Sequence, residues 1–215
     1  MSVIISLEGN IGSGKTTLLR ELEDVKFNKP HIIIYEQVSE WQSIKNNNNE
    51  NILELFYKDQ EKYSYITQSY ILFSRIKYLI QTIKDNPDKI IICERCHLTD
   101  LMVFSESLFN LNKLNEIEWK VYKEWYQMVS NMFSIKIDAY IYNNVSPLIC
   151  LERIMKRSRL GESVIELEYL ELLHNKHDKW LKNENTLILD GNNDFSDKEK
   201  RQVLINSIIN YVNEL

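Results

Sequence analysis

The sequence predicts an α/β fold in which a five-stranded parallel sheet, doubly wound, carries helices on both faces. Three observations carry that prediction. Short runs rich in β-branched residues recur along the chain, long amphipathic segments separate them, and Gly9-Asn10-Ile11-Gly12-Ser13-Gly14-Lys15-Thr16 follows the first run directly. Near-continuous apolar runs are what strands covered on both faces require. Their alternation with helices calls for right-handed crossovers.

Taken in order, residues 3–7, 32–35, 89–93, 139–142 and 186–189 read as buried strands. Residues 15–23, 50–84, 98–109, 116–133, 147–157, 166–181 and 196–212 read as helices. Four consecutive asparagines at 46–49 mark an exposed loop before the second helical pattern. No linker and no repeat divides the chain, so residues 1–215 are read as one domain.

Composition narrows the class further. Hydrophobic residues make up 44% of 215 residues, which excludes a wholly disordered chain. Lys plus Arg number 26 against 31 Asp plus Glu, a net charge of −5. That balance argues against a broad electrostatic grip on nucleic acid or on an anionic membrane. Three cysteines cannot all pair within the chain, and the first residues carry neither a basic leader nor an Arg-rich amphipathic one. No apolar run approaches the ~20 residues that span a bilayer. A soluble, cytoplasmic protein is the expectation.

The glycine-rich segment matches G-x-x-x-x-G-K-[ST] in full, between a strand and a helix as the mechanism demands. Its glycines let backbone N–H groups point at a phosphate beside the positive end of the helix. Lys15 would reach the β- and γ-phosphates, and the Thr16 hydroxyl would ligate Mg²⁺. The motif by itself says only that a nucleotide phosphate binds, since kinases, ATPases, GTPases and transporters share it. The N-K-x-D and D-x-x-G elements expected of a guanine-specific GTPase are absent.

Two more strands end in carboxylates: residues 32–35 run into Glu36, and residues 89–93 run into Glu94-Arg95. Ligands of open α/β sheets sit beyond the carboxyl ends of the strands, so Glu36, Glu94 and the glycine loop converge on one crevice. Phosphoryl transfer to a hydroxyl needs such a set: one carboxylate takes the proton, another helps hold Mg²⁺, and arginines stabilise the transferring group.

Beyond the loop at 9–17, the chain carries Glu-x-Val-x-x-Trp at 36–41, Phe-Tyr-Lys-Asp at 56–59, Gln68 before Ser74-Arg75-Ile76, and Glu94-Arg95 with Asp100 and Phe104. Further on come Ile117-Glu118-Trp119, Arg153-x-x-x-Arg157-x-Arg159, Leu167-Glu168-Tyr169-Leu170 and Asn193-Asp194-Phe195. In this ordered set the sequence resembles the deoxynucleoside kinases, in their deoxycytidine/deoxyguanosine kinase branch, over nearly its whole length. The resemblance implies a P-loop kinase fold with a short arginine-rich lid, and transfer of the γ-phosphoryl of ATP or another nucleoside triphosphate to the 5′-hydroxyl of a 2′-deoxynucleoside. It makes Glu36 the general base with Arg95 beside it, and Thr16 and Glu94 the Mg²⁺ side. Residues 9–17 hold the donor phosphates, and Arg153, Arg157 and Arg159 close over them. Tyr57 and Glu162 resemble the pair on the sugar 3′-hydroxyl. Val38, Trp41, Leu53, Phe104 and Tyr169 line the nucleoside pocket. Gln68, Arg75 and Asp100 read the base, and Asp194 and Phe195 touch the donor's base. The resemblance also implies a homodimer packed through helices such as the one bearing Trp119, Tyr122 and Trp125.

The residue chemistry agrees. Arg153 and Arg157 share a helix face, and guanidinium forks suit phosphate oxygens. An acidic Asp100 accepts from an exocyclic amine, which favours deoxycytidine or a purine deoxynucleoside over thymidine. The chain departs from the family pattern at Gln37, usually proline, at Gly161, usually a lid glutamate, at Cys96, usually serine, and at Thr67, where an aromatic ring worth ~1–3 kcal/mol of stacking is usual. Cys93-x-x-Cys96 overlaps the Glu94-Arg95 motif and has no second pair, and His174 and His177 lack completing ligands, so neither is read as a metal site. The competing functions are a thymidylate-type monophosphate kinase, which phosphorylation of dCMP or dTMP but not nucleosides would reveal, and a non-catalytic nucleotide-binding subunit, which would be free to lose Glu36 or Lys15.

Overall fold

In the computed structural model, which describes residues 2–159, 161–193 and 197–215, five strands lie in the order β2-β3-β1-β4-β5, all parallel. They are β1 (Val3–Glu8), β2 (His31–Ile34), β3 (Ile90–Glu94), β4 (Ala139–Asn144) and β5 (Thr186–Asp190). Each falls within two residues of its predicted bounds. Ten α-helices surround them among the described residues: α1 (Lys15–Leu22), α2 (Val38–Ser43), α3 (Ile52–Lys58), α4 (Gln60–Asp85), α5 (His97–Thr99), α6 (Glu106–Asn110), α7 (Glu116–Phe133), α8 (Pro147–Arg157), α9 (Leu167–Leu181) and α10 (Lys198–Asn213). A π-helical turn, Asp100–Ser105, joins α5 to α6.

Alternation along the central strands divides the core. Ile5 and Leu7 of β1 pack with Leu18, Leu22, Ile205 and Ile208 of α1 and α10. Ile4, Ile91, Tyr140 and Tyr142 face the other way, onto Leu79 of α4 and Leu173 and Trp180 of α9. Both faces are thus covered, as a parallel sheet requires. The winding reverses beside β1, so the glycine loop at its end opens onto the switch point.

Three expectations need correction. β2 and β5 are not buried along their length, because they are the sheet's edges and each pairs with a strand on one side only. The pattern at 50–84 is two helices: Asp59 leaves helical geometry at φ −150° and ψ 85°, and its carboxylate caps α4 at Lys62 N. Asn51 caps α3 with Glu54 in a reciprocal box. The helix expected at 98–109 is interrupted by the π turn. Residues 46–49 are exposed as predicted, whereas α2, six residues around buried Trp41, lies where only a motif had been read. The start predicted for the last helix, Ser196, lies outside the described residues. No helix among the described residues is long and apolar enough to cross a membrane.

Candidate active site

Beyond the carboxyl ends of β1, β2 and β3 lies a cavity of about 1030 Å³. Its phosphate-loop wall is set by backbone. Gly14, which caps α1, has φ +93°, a conformation that side chains resist. A Cβ on Gly12 would come within 2.5 Å of the Cys150 carbonyl. Ser13 O accepts from Asn143 Nδ2 at 2.8 Å and from Arg153 Nη1 at 3.1 Å, and Asn10 Nδ2 donates to Leu170 O at 2.8 Å. Gly191, just past β5, packs so closely that a Cβ would lie 2.1 Å from Asn143 Oδ1.

Lys15 is buried, and its Nζ donates to the carbonyls of Gly9 (3.1 Å) and Asn10 (2.9 Å). Burial, reinforced by the Arg95 charge, lowers its ammonium to about 8. Thr16 Oγ1 donates to Glu94, 2.8 Å from Oε1 and 3.1 Å from Oε2. The turn after Glu94 places Arg95 at φ +61°, a strained conformation for an arginine, held by Arg95 N to Leu7 O at 3.0 Å.

Glu36, two residues past β2, is the centre of charge. Its Oε1 accepts from Arg95 Nη1 at 2.6 Å and from Arg75 Nη2 at 3.2 Å. Burial opposes its ionisation, but Arg95, Arg75 and Lys15 together outweigh burial and hold the carboxyl at about 2. Arg75 also grips Asp100 through Nε (2.9 Å to Oδ2) and Nη2 (3.3 Å to Oδ1), and donates from Nη1 to Glu94 O at 2.7 Å. For Asp100, burial outweighs the Arg75 charge and pushes it up to about 6. Trp41 is pinned by Nε1 to Ser74 Oγ at 2.8 Å, and the Arg75 guanidinium lies 5.8 Å from its ring centre. The Arg95 guanidinium lies 5.0 Å from the centre of the Phe104 ring.

The cavity brings together Ile11, Gly12, Gly14, Lys15, Thr16 and Thr17, the expected base Glu36 with Arg95, and Glu94. It also gathers Val38, Trp41, Leu53, Tyr57, Thr67, Gln68, Arg75, Asp100, Phe104, Glu162 and Tyr169, together with Arg153, Arg157 and Arg159. Gly9, Asn10 and Ser13, expected on the donor, sit behind that wall, where their carbonyls hold Lys15, Arg95, Asn143 and Arg153. Asp194 and Phe195 lie outside the described residues.

Two groups behave otherwise than their motif implied. Arg153 spends its fork on main-chain carbonyls of Ser13, Gly191 and Asn193, and so fastens the loop. Glu162 is held by both lid arginines, Arg157 at 2.5 Å and Arg159 at 3.2 Å. Sequence reasoning missed Ile71, although it stands midway between Thr67 and Arg75 at helical spacing, and it missed Glu152 and Lys156, which line the donor side of the cavity from α8. His177 is buried against Tyr142, and the three cysteines are free and buried.

A parallel sheet with a glycine loop at its switch point, a buried lysine and carboxylates at neighbouring strand ends defines a P-loop phosphotransferase. The family model for deoxynucleoside kinases matches residues 5–215, and the chain belongs to that family. It is 33% identical to a probable deoxycytidine kinase of fowlpox virus, over 98% of this chain and 88% of that one. It is 34% identical to deoxycytidine kinase 2 of Gallus gallus (97% and 89% covered) and 33% identical to the mitochondrial deoxyguanosine kinase of Xenopus laevis (85% and 74%). The protein is therefore an enzyme that phosphorylates deoxynucleosides from a nucleotide donor.

Proposed function

We propose that the cavity binds ATP at its loop end and a 2′-deoxynucleoside at the end lined by Trp41, Gln68 and Asp100, and that Glu36 takes the proton of the 5′-hydroxyl as that oxygen attacks the γ-phosphorus. One observation carries this reading: an ionised Glu36 and the ammonium of Lys15 face a single cavity, with Arg95 bonded to the first and to the carbonyl that anchors the second. Both guanidinium contacts fall on Oε1, which leaves Oε2 for the substrate hydroxyl. Lys15 and Arg95 oppose the charge on the transferring group, and Arg157 and Arg159 add theirs when donor phosphates draw them from Glu162. Tyr57 and Glu162 then hold the 3′-hydroxyl.

The Thr16 hydroxyl and the Glu94 carboxylate are hard oxygen donors beside the loop. That small set suits Mg²⁺, which takes few protein ligands and completes its shell with phosphate oxygens and water. When bound, Mg²⁺ neutralises charge on the donor phosphates.

Asp100 with Arg75 favours an amino-bearing base, so deoxycytidine or a purine deoxynucleoside is preferred over thymidine. The names of the relatives support the same range. The enzyme works as one domain in the cytoplasm, a compartment that suits three free thiols. It forms a homodimer through α4 and α7, whose outward faces expose Ile66, Phe73, Ile117, Trp125, Met128 and Met132, with Phe73 edge-on to Trp125 at 6.0 Å. Sedimentation of Trp125→Glu as a monomer tests the dimer. Turnover of the four deoxynucleosides, dCMP and dTMP with ATP and Mg²⁺ tests the activity. A preference for thymidine overturns the reading of the base, and turnover of monophosphates alone overturns the acceptor.

A further inference from the structure

The strand that delivers the phosphate loop ends on a buried acid that phosphoryl transfer does not use. Ile5 and Leu7 face α1 and α10, so Ile4, Ser6 and Glu8 point to the α4 and α9 side of the sheet. Glu8 is fully buried. Its Oε1 accepts from Ser6 Oγ at 2.5 Å and from Thr99 Oγ1 at 2.7 Å, and Thr99 Oγ1 accepts the Cys96 N–H at 3.1 Å. That oxygen ties β1 to the turn that carries Glu94 and Arg95. Oε2 has no hydrogen-bond partner among the described residues. It faces His177 Nε2 of α9 across 3.9 Å, an atom equally buried and equally without a partner there.

His177 Nδ1 lies 2.8 Å from the Leu173 carbonyl oxygen, which only accepts, so Nδ1 carries a proton. Burial, with the Arg95 and Lys15 charges adding to it, holds the ring at about 3, so it is neutral and Nε2 is a bare acceptor. A bare ring nitrogen and a carboxyl oxygen then face each other, neither with a hydrogen-bond partner among the described residues. Unpaired buried acceptors forfeit their full desolvation penalty, so one donor hydrogen is missing.

We propose that Glu8 Oε2 and His177 Nε2 close the 3.9 Å between them into a hydrogen bond that shares one proton, and that this contact positions the phosphate loop. The residue after Glu8 is Gly9, whose carbonyl receives Lys15 Nζ at 3.1 Å and Arg95 Nη2 at 3.2 Å. Displacing Glu8 therefore displaces the common anchor of both cations. α9 meets the loop a second time through Leu170 O and Asn10 Nδ2. Glu8 touches no substrate and acts through Gly9, so it is a positioning residue.

The kinetic arm of the test rests on the kinase reading, and the spectroscopic arm does not. In the ¹⁵N NMR of the unsubstituted protein, His177 Nδ1 should appear as the protonated nitrogen and Nε2 as an acceptor shifted by a hydrogen bond. A doubly protonated ring, or an Nε2 with no such shift, overturns the shared proton. Glu8→Gln keeps Oε1 for Ser6 and Thr99 and donates an amide hydrogen to Nε2, so it should retain kcat within about twofold. Glu8→Met, and His177→Phe, which keeps the stack on Tyr142, should lower kcat ~10–10²-fold with the KM for deoxynucleoside little changed. Wild-type kcat in folded Met and Phe variants, or a Gln variant as impaired as the Met variant, overturns the positioning role. If Glu8→Met does not fold, His177→Phe and the spectrum decide. An unsubstituted protein that turns over no deoxynucleoside condemns the kinase reading instead, and the spectrum still rules on the proton.

Discussion

The two ends of the cavity are made of different material. At the phosphate end the chain's own peptide groups form the wall: Gly12 and Gly14 fold it, and the carbonyls of Gly9, Asn10 and Ser13 are each held by a lysine, arginine or asparagine. At the base end the wall is side chains alone, with Arg75 spanning Asp100 and Glu36 above Trp41. A wall of backbone is fixed by conformation, so a side-chain exchange behind it loosens it without re-aiming it at another ligand. A wall of side chains is re-aimed by one or two substitutions. The first end therefore governs whether the reaction runs, and the second governs on what.

Breaking the phosphate end should cost most. Lys15→Ala is expected to lower kcat by ~10³–10⁵-fold in a steady-state assay, because Arg95, the other buried cation at the loop, is already committed to Glu36 and the Gly9 carbonyl. Glu36→Gln should lower kcat ~10²–10⁴-fold while ATP binding, followed by titration calorimetry, persists. The same variant probes stability. Glu36 sits at about 2 in the fold, below its ordinary 4.5, so its contribution is present above pH 4.5 and is lost as pH falls from there towards 2. The melting temperature of Glu36→Gln should accordingly fall less steeply over that window.

The base end should respond in kind rather than in rate. Arg75→Met with Asp100→Ala is expected to move the ratio of kcat/KM for thymidine over deoxycytidine upward by ~10²-fold, measured with both nucleosides in one assay. A ratio that stays put would place base selection elsewhere in the cavity. Arg159→Ala should reduce kcat about tenfold with a smaller rise in KM for the nucleoside, since water already screens a side chain 35% exposed. The smallest effect is on pH. Above about pH 8 the free enzyme loses the Lys15 ammonium, so kcat/KM for ATP should decline there, while kcat holds to higher pH because bound phosphates favour the charged form.

The phosphate end was also the legible one. Glycines, Lys15 and Thr16 have roles set by spacing alone, and the five strands follow from runs such as residues 3–7 and 89–93. The break at Asp59 was hidden because the apolar pattern runs on through both helices, and a lone aspartate is equally at home on a solvated helix face. Arg153 matched a donor-phosphate motif, yet its fork ends on three carbonyls whose approach depends on β5 returning beside β4. Arg75 was read as a base contact, and its second bond to Glu36 needs β2 and α4 to meet, a long-range fact that local pattern does not hold. Nothing in the sequence singles out Glu8, because an acidic residue at the end of a strand looks like any other polar residue entering a loop.

Gly191 shows what such closeness means for how the chain can vary over generations. Its N–H donates to Asn144 O at 2.9 Å, its carbonyl takes Arg153 Nη2 at 3.0 Å, and any Cβ would collide with Asn143 Oδ1 and, at 2.6 Å, with Val145 Cγ2. Asn143 cannot yield, because its amide holds Ser13 O in the loop. Positions 191, 143 and 13 can thus drift only as a set, through intermediates that each loosen the phosphate site, and at 191 the alphabet of amino acids has a single letter.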